Sequence, residues 1–122
     1  MSLTLTPNML AAAYDYLCET EPFSKWNLPD SEDVVFKVSK KQKEFGCYYL
    51  NADSKHTIEA SCRSISHTET LMKLMSHEMI HLYLEKMGWE SKSTDANTHN
   101  AAFRRFAAQV CRFHGFDQKA FY

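Results

Sequence analysis

The residues best suited to chemistry form one short motif, His77-Glu78-Met79-Ile80-His81. Residues four apart lie on the same face of an α-helix, so both imidazoles can reach a single cation. Imidazole nitrogen binds Zn²⁺ at about 2.0–2.1 Å, and two histidines at this spacing are a recurring arrangement for that metal. The spacing therefore predicts that His77 and His81 are zinc ligands.

Glu78 points in a different direction from the two histidines. On an ideal helix it projects about 100° from His77 and about 60° from His81, which places its carboxylate beside the metal. Zinc lowers the pKa of water toward about 7, and a neighbouring carboxylate can accept the proton. We therefore predict that Glu78 is a general base. The alternative interpretation is two solvent-facing histidines on either side of an ordinary glutamate.

The helix that carries the motif is predicted to be long and buried. Ser66–Glu69 (SHTE) has the pattern of a capping box, and Gly88 is a suitable residue just beyond a helix end. Between these limits, apolar side chains cover almost the whole circumference, which is typical of a helix enclosed by other elements. Burying two histidines and a glutamate there is costly unless a partner such as a metal satisfies them.

A catalytic zinc site has three protein ligands and one open position, so a third ligand is needed. We predict His99, because it heads the apolar stripe of a C-terminal helix expected from about residue 98 to His114. The 17 residues between His81 and His99 allow the two helices to lie face to face. The stripe consists of His99, Phe103, Phe106, Val110 and Phe113.

The remaining histidines are predicted to be surface or capping residues: His56, His67 and His114. The group that would stabilise an oxyanion stays unassigned, with Tyr83, His67 and His114 as candidates.

The rest of the chain predicts one more helix and a small sheet. Thr6 and Pro7 have the pattern of an N-cap and first helical residue, with the helix continuing to about Thr20. Three strands are predicted at Val34–Ser39, Phe45–Leu50 and His56–Cys62, the last two joined by a turn in a hairpin. The fold class is therefore α+β: a sheet of about three strands packed with three helices, the active-site helix central and buried.

The bulk properties are those of one soluble domain spanning residues 1–122. The 122 residues include 44% hydrophobic and 24% charged residues, with a net charge of -1 that gives no overall attraction to nucleic acid. The four cysteines are scattered, which indicates free thiols in a reducing compartment. Neither a secretory signal nor an apolar stretch of about 20 residues is present, so we expect a cytoplasmic protein without a membrane partner.

A lysine-rich segment offers another function. Lys37–Lys43 has four lysines in seven positions, which is typical of a solvated strand end. The alternative is a nucleic-acid-binding domain in which these lysines contact phosphates while Tyr48 and Tyr49 stack on bases. We expect the two tyrosines to belong to the core and the sheet face instead.

Leu74–Leu84 (LMSHEMIHLYL), followed by His99 at the head of a helix and Phe103 four residues later, resembles the SprT-like (Spartan-type) zinc metalloprotease domain family. The resemblance extends over roughly residues 8–116. It implies a minimal zincin-like fold, Zn²⁺ held by three histidines, peptide-bond hydrolysis and, as in well-known members, action on DNA-attached proteins. Asn100 departs from the glycine usual there, and no C-terminal zinc ribbon follows.

The motif and the resemblance together predict a zinc-dependent endopeptidase whose substrates are proteins or peptides, DNA-associated proteins among them. In zincin-like enzymes an extended peptide pairs with an edge strand above the motif helix, and we predict His56–Cys62 as that edge. The alternative is a non-catalytic zinc-binding domain that serves as a protein or nucleic-acid interaction module.

Overall fold

The computed structural model of the chain describes residues 5–40, 46–62, 68–90 and 99–121. Three longer helices and a three-stranded mixed sheet confirm the α+β class. Within these residues the α-helices and strands are α1 (Pro7–Cys18), β1 (Val35–Ser39), β2 (Gly46–Leu50), β3 (His56–Ser61), α2 (Thr68–Met87), α3 (Ala101–His114) and a short α4 (Gln118–Phe121). The sequence pattern did not predict α4.

Helix α1 begins as its sequence predicts. The Thr6 hydroxyl accepts a hydrogen bond from the Met9 amide at 3.3 Å, and proline occupies the first helical position. Leu10, Tyr14 and Leu17 are buried along one side of the helix, which packs against α2. The helix ends at Cys18, two residues earlier than predicted.

The sheet has the order β1-β3-β2, with β3 parallel to β1 and antiparallel to β2. The β2–β3 hairpin is confirmed, and the Asn51 side chain in its turn accepts from the Asp53 and Lys55 amides at 2.9 and 3.0 Å. The prediction that His56–Cys62 is an edge strand is wrong. In addition to its hairpin partner β2, β3 pairs with β1, which precedes the hairpin in the chain. Strand β3 is therefore in the middle of the sheet, with β1 on one side and β2 on the other.

Helix α2 packs against α1, α3 and the sheet. No residue between Leu71 and Leu84 is exposed, whereas Met87 in the last turn is 43% exposed. A Cβ on Gly46 of β2 would lie 2.4 Å from the carbonyl oxygen of Glu59 on β3 and 3.1 Å from the Leu74 side chain of α2. Glycine at position 46 therefore lets β2 lie close to both β3 and the motif helix.

The C-terminal end of α2 lies where predicted. Gly88 adopts a φ of 76°, its amide donates to Glu85, and the Trp89 amide donates to Leu84 at 2.7 Å, which together form a Schellman motif. At the other end, Ser66 and His67 lie outside the described residues, as does Phe45 of the predicted second strand.

Helix α3 starts at Ala101, three residues later than predicted, and ends at His114 as expected. Its inward side is formed by Phe103, Ala107, Val110 and Cys111. The prediction that Phe113 packs inward is wrong, since 49% of the residue is exposed. At about 100° per residue it lies roughly 80° away from Phe103, on the flank of the buried side. Phe106, on the same flank, is only partly buried.

The cysteines and the lysine-rich segment agree with their predictions where the structure describes them. All four cysteines are free thiols, as expected from their spacing. Lys37 and Lys40 are exposed, as predicted for a solvated strand end, and residues 41–43 of the lysine-rich segment lie outside the described residues. Among the described helices, none combines the length and apolar character needed to cross a membrane.

Candidate metal centre

The three predicted ligands lie together between α2 and α3. One side-chain nitrogen from each of His77, His81 and His99 lies within 4.8 Å of the other two. The ring centroids are 5.1 Å apart for His77 and His81, 4.9 Å for His77 and His99, and 5.5 Å for His81 and His99. Nitrogens bound to one tetrahedral zinc are about 3.4 Å apart, so a small adjustment of the rings would accommodate the ion.

Helix geometry explains the first two positions, and the cap of α3 explains the third. His77 and His81 are one turn apart on α2, whereas His99 immediately precedes the α3 N-cap, Asn100. The Asn100 side-chain oxygen accepts from the Phe103 amide at 2.9 Å, and its amide group donates to the Trp89 carbonyl, also at 2.9 Å. Asn100 thus joins the chain after α2 to the start of α3. Glycine, usual here in the family that the chain resembles, could make neither bond.

The ring of Phe103 packs against all three histidines of the cluster. Its ring is fully buried and stacks on His99 at 4.1 Å between centroids and on His81 at 4.5 Å, with His77 at 4.9 Å. A rigid ring against all three imidazoles limits the orientations they can adopt. The sequence predicted Phe103 on the inward stripe, and the structure adds its contact with the three histidines.

Hydrogen bonds donated by Nδ1 orient both α2 histidines. His77 Nδ1 lies 3.0 Å from the carbonyl oxygen of Phe121, and His81 Nδ1 lies 2.8 Å from Glu90 Oε2. A carbonyl or carboxylate oxygen accepts, so each Nδ1 is the donor and each Nε2 keeps its lone pair for a metal. Sequence reasoning missed Phe121 and Glu90, because neither falls on the helical repeat of the motif.

Burial favours the uncharged form of two of the histidines. It lowers the pKa of His77 from its ordinary value near 6.5 to about 3, with the neighbouring His81 adding to the decrease and the Phe121 carbonyl opposing it. The pKa of His99 is also lowered, again chiefly by burial and then by His81. At neutral pH these two rings are therefore neutral, which is the state that binds a metal.

Glu78 is buried beside the cluster, with only 4% of the residue exposed. It follows His77 directly on α2 and projects to one side of the face that carries the two histidines. A carboxylate removed from water is stabilised by a nearby positive charge, which a cation bound to the three imidazoles would provide.

Two other candidates from the sequence, His114 and Tyr83, contact residues outside the histidine cluster. His114 Nε2 is 3.0 Å from the Thr20 hydroxyl, and its ring contacts Phe23. Tyr83 stacks on Trp26 at 4.5 Å. His67 lies outside the described residues.

His56 of β3 and the two tyrosines of β2 make side-chain contacts between these strands. His56 is half-buried, and its Nδ1 is 2.5 Å from the Tyr48 hydroxyl, so it is more than a surface histidine. Tyr48 packs against the core, and the Tyr49 hydroxyl donates to Glu59 at 3.4 Å. These contacts agree with the prediction that the tyrosines belong to the core and the sheet face.

Comparison with known proteins identifies the family. No curated protein and no solved structure matches the chain. The model of the SprT-like family matches residues 13–120, which include all three histidines of the cluster and Glu78. Because this match covers most of the 122 residues, the chain belongs to the SprT-like family.

Proposed function

We propose that this protein is a zinc-dependent endopeptidase in which His77, His81 and His99 hold the metal and Glu78 is the general base. The observation that carries the proposal is the convergence of three histidine nitrogens within 4.8 Å, next to a buried glutamate. Family membership supports the same class of activity. A single domain spanning residues 1–122 would contain the complete set of these groups.

The donor set suits zinc. Three imidazole nitrogens form a common protein ligand set for catalytic zinc, which keeps its fourth position for water or substrate. When bound, zinc lowers the pKa of water toward about 7 and polarises the carbonyl of the peptide bond. No fourth histidine, cysteine or carboxylate joins the group within the described part of the chain, which is consistent with an open fourth position.

The residues of the chain would then divide the reaction between them. Glu78 accepts a proton from the attacking water and later passes it to the leaving amine. The Phe121 carbonyl and the Glu90 carboxylate hold His77 and His81 in orientation, while Phe103 supports the rings. The burial of Glu78 keeps competing bulk water away from its carboxylate.

The substrate edge that fits the observed sheet is β2. It pairs only with β3 among the described strands, and it contacts α2, whereas the other edge strand, β1, contacts α1. An extended peptide could add to β2 through main-chain hydrogen bonds, so recognition would depend little on sequence. Unfolded or loosely structured proteins are therefore the substrates we propose, DNA-associated proteins among them.

The test is Glu78→Gln with casein as an unstructured substrate. The amide has nearly the same shape and removes no ligand, so the fold and the bound zinc should be retained. Because an amide cannot accept the proton, hydrolysis should fall by about 10²–10⁴-fold. Cleavage is measured with and without single-stranded DNA, which separates a DNA-dependent peptidase from a constitutive one.

Glu59→Gln is the matched control, since it makes the same substitution on β3, outside the histidine cluster. It should cleave at the wild-type rate. Equal cleavage by wild type and Glu78→Gln would rule out the general base. A zinc-loaded wild type that cleaves under neither condition would favour a non-catalytic zinc domain.

A further inference from the structure

Glu90 is a second carboxylate close to the metal centre, and its position follows from the end of α2. Its Oε2 lies 2.8 Å from His81 Nδ1, nine residues back along the chain. Both side chains are largely removed from solvent, with 11% of His81 and 19% of Glu90 exposed. A polar contact between exposed side chains contributes little, but a largely buried hydrogen bond to a carboxylate can hold a ring in place.

The backbone before Glu90 is held from two sides. The Schellman motif at Gly88 reverses the chain, with the Trp89 amide donating to Leu84. The Trp89 carbonyl then accepts from the Asn100 side chain, next to His99. The carboxylate therefore reaches His81 from a segment tied both to α2 and to the start of α3.

The two α2 histidines have different kinds of partner. A neutral main-chain carbonyl accepts from His77, whereas a carboxylate accepts from His81. A carboxylate on the far nitrogen fixes the tautomer and makes the ligating nitrogen more basic, which a carbonyl does less strongly. This difference gives Glu90 a role that Phe121 cannot supply.

We propose that Glu90 is a positioning residue for the metal ligand His81: its carboxylate accepts the Nδ1 proton, holds Nε2 toward the cluster and strengthens its bond to the ion. The inference rests on the proposed zinc site. The competing explanation is that the contact between Glu90 and His81 only stabilises the turn after α2 and has no effect on metal binding.

Zinc affinity measured by competition with a chromophoric chelator separates these explanations. Glu90→Ala should bind zinc about 10–100-fold more weakly than wild type, as expected when such a partner of a ligand is removed. Glu90→Gln can still accept a hydrogen bond but carries no charge, so its zinc affinity should lie between those of wild type and Glu90→Ala. Glu85→Gln is the control, since it removes the same charge from α2 one turn beyond His81.

A second measurement uses metal-free protein. In wild type, ¹⁵N NMR should show the His81 proton on Nδ1, and in Glu90→Ala the proton should move at least partly to Nε2. A purely structural contact would lower the melting temperature of Glu90→Ala without changing zinc affinity or the preferred nitrogen, and that result would overturn the proposal.

The two proposals can fail separately. If wild type binds zinc and Glu90→Ala binds it equally well, the role of Glu90 is refuted and the zinc site stands. If wild type binds no zinc, both are refuted. If Glu85→Gln lowered the zinc affinity as much as Glu90→Ala, the proposal would also be overturned. The loss of any negative charge near the site would then explain the effect.

Discussion

The three histidines are held by three different interactions. A main-chain carbonyl orients His77, a carboxylate orients His81, and His99 stacks on Phe103 with only 12° between the ring planes. His99 is also the one member of the cluster that α2 does not carry. Its position depends on how α3 begins, so it is the most informative ligand to remove.

Removing His99 should release most of the zinc. Wild-type protein is expected to retain about one zinc per chain after dialysis, whereas His99→Ala leaves two protein ligands, fewer than the three of a usual catalytic site. Atomic emission spectroscopy on protein of known concentration measures the ratio. His114→Ala, which removes a histidine outside the cluster, should retain zinc like wild type. Full zinc content in His99→Ala would show that another residue is the third ligand.

At the scale of elements, the site depends on the connection between α2 and α3. Asn100 contributes to both ends of that connection, as the N-cap of α3 and as a donor to the carbonyl of Trp89. An asparagine therefore combines two functions at a position where a glycine would provide only backbone freedom. The departure from the usual family residue thus has a structural explanation in this chain.

Replacing Asn100 should separate these two functions. Asn100→Ala removes the cap and the bond to Trp89, and we expect it to lower the free energy of unfolding by about 0.5–2 kcal/mol. Asn100→Asp keeps the capping oxygen, with a charge that suits a helix N-terminus, and loses only the donor. Urea denaturation should therefore place Asn100→Asp between wild type and Asn100→Ala.

Asn8→Ala makes the same substitution in the exposed first turn of α1 and should change stability by less than about 0.5 kcal/mol. If Asn100→Ala were as stable as Asn8→Ala, the two hydrogen bonds of Asn100 would contribute nothing measurable.

At the scale of the whole molecule, the cluster joins segments that are distant in sequence. The three histidines come from α2 and from the residue before the α3 cap, and a carbonyl of α4 contacts His77. A ligand that binds only the folded state stabilises it, by about 2.7 kcal/mol when its free concentration is 100 times its Kd. Zinc should therefore stabilise the entire fold.

Both the stability of the metal-free protein and its stabilisation by zinc should decrease at acid pH. The pKa of His77 is about 3 in the folded protein and near 6.5 when unperturbed, so below pH 6.5 the unfolded chain binds more protons. Stability of the metal-free protein should accordingly fall as the pH drops from about 6.5 toward 3. Acid also protonates the imidazoles that would otherwise bind zinc, so the zinc-induced shift in Tm should be large at pH 7.5 and small at pH 5.

Differential scanning calorimetry at both pH values, with and without zinc, tests this dependence. His77→Ala is the control and should show little zinc-induced shift at either pH. An equal shift for wild type at pH 5 and pH 7.5 would contradict a site built from imidazoles.

Features that depend on neighbouring residues could be predicted from the sequence. The spacing of His77 and His81, the N-cap at Thr6 and the turn at Gly88 each involve residues within about one helical turn of each other. The β2–β3 hairpin follows from the turn residues between its strands. The place of His99 beside His77 and His81 was predictable, because the apolar stripe of the last helix begins at His99 and directs it inward.

Features that depend on distant segments required the tertiary structure. Alternating side chains predict a strand but not its neighbours, so the position of β3 between β1 and β2 was not predictable from its own residues. The contacts of Glu90 and Phe121 with the histidines likewise lie outside any local repeat. The sequence by itself determined which side chains can bind a metal, through helical periodicity. Long-range packing alone decided what holds them and which of the described strands lie at the sheet edges, because those contacts join residues far apart in the chain.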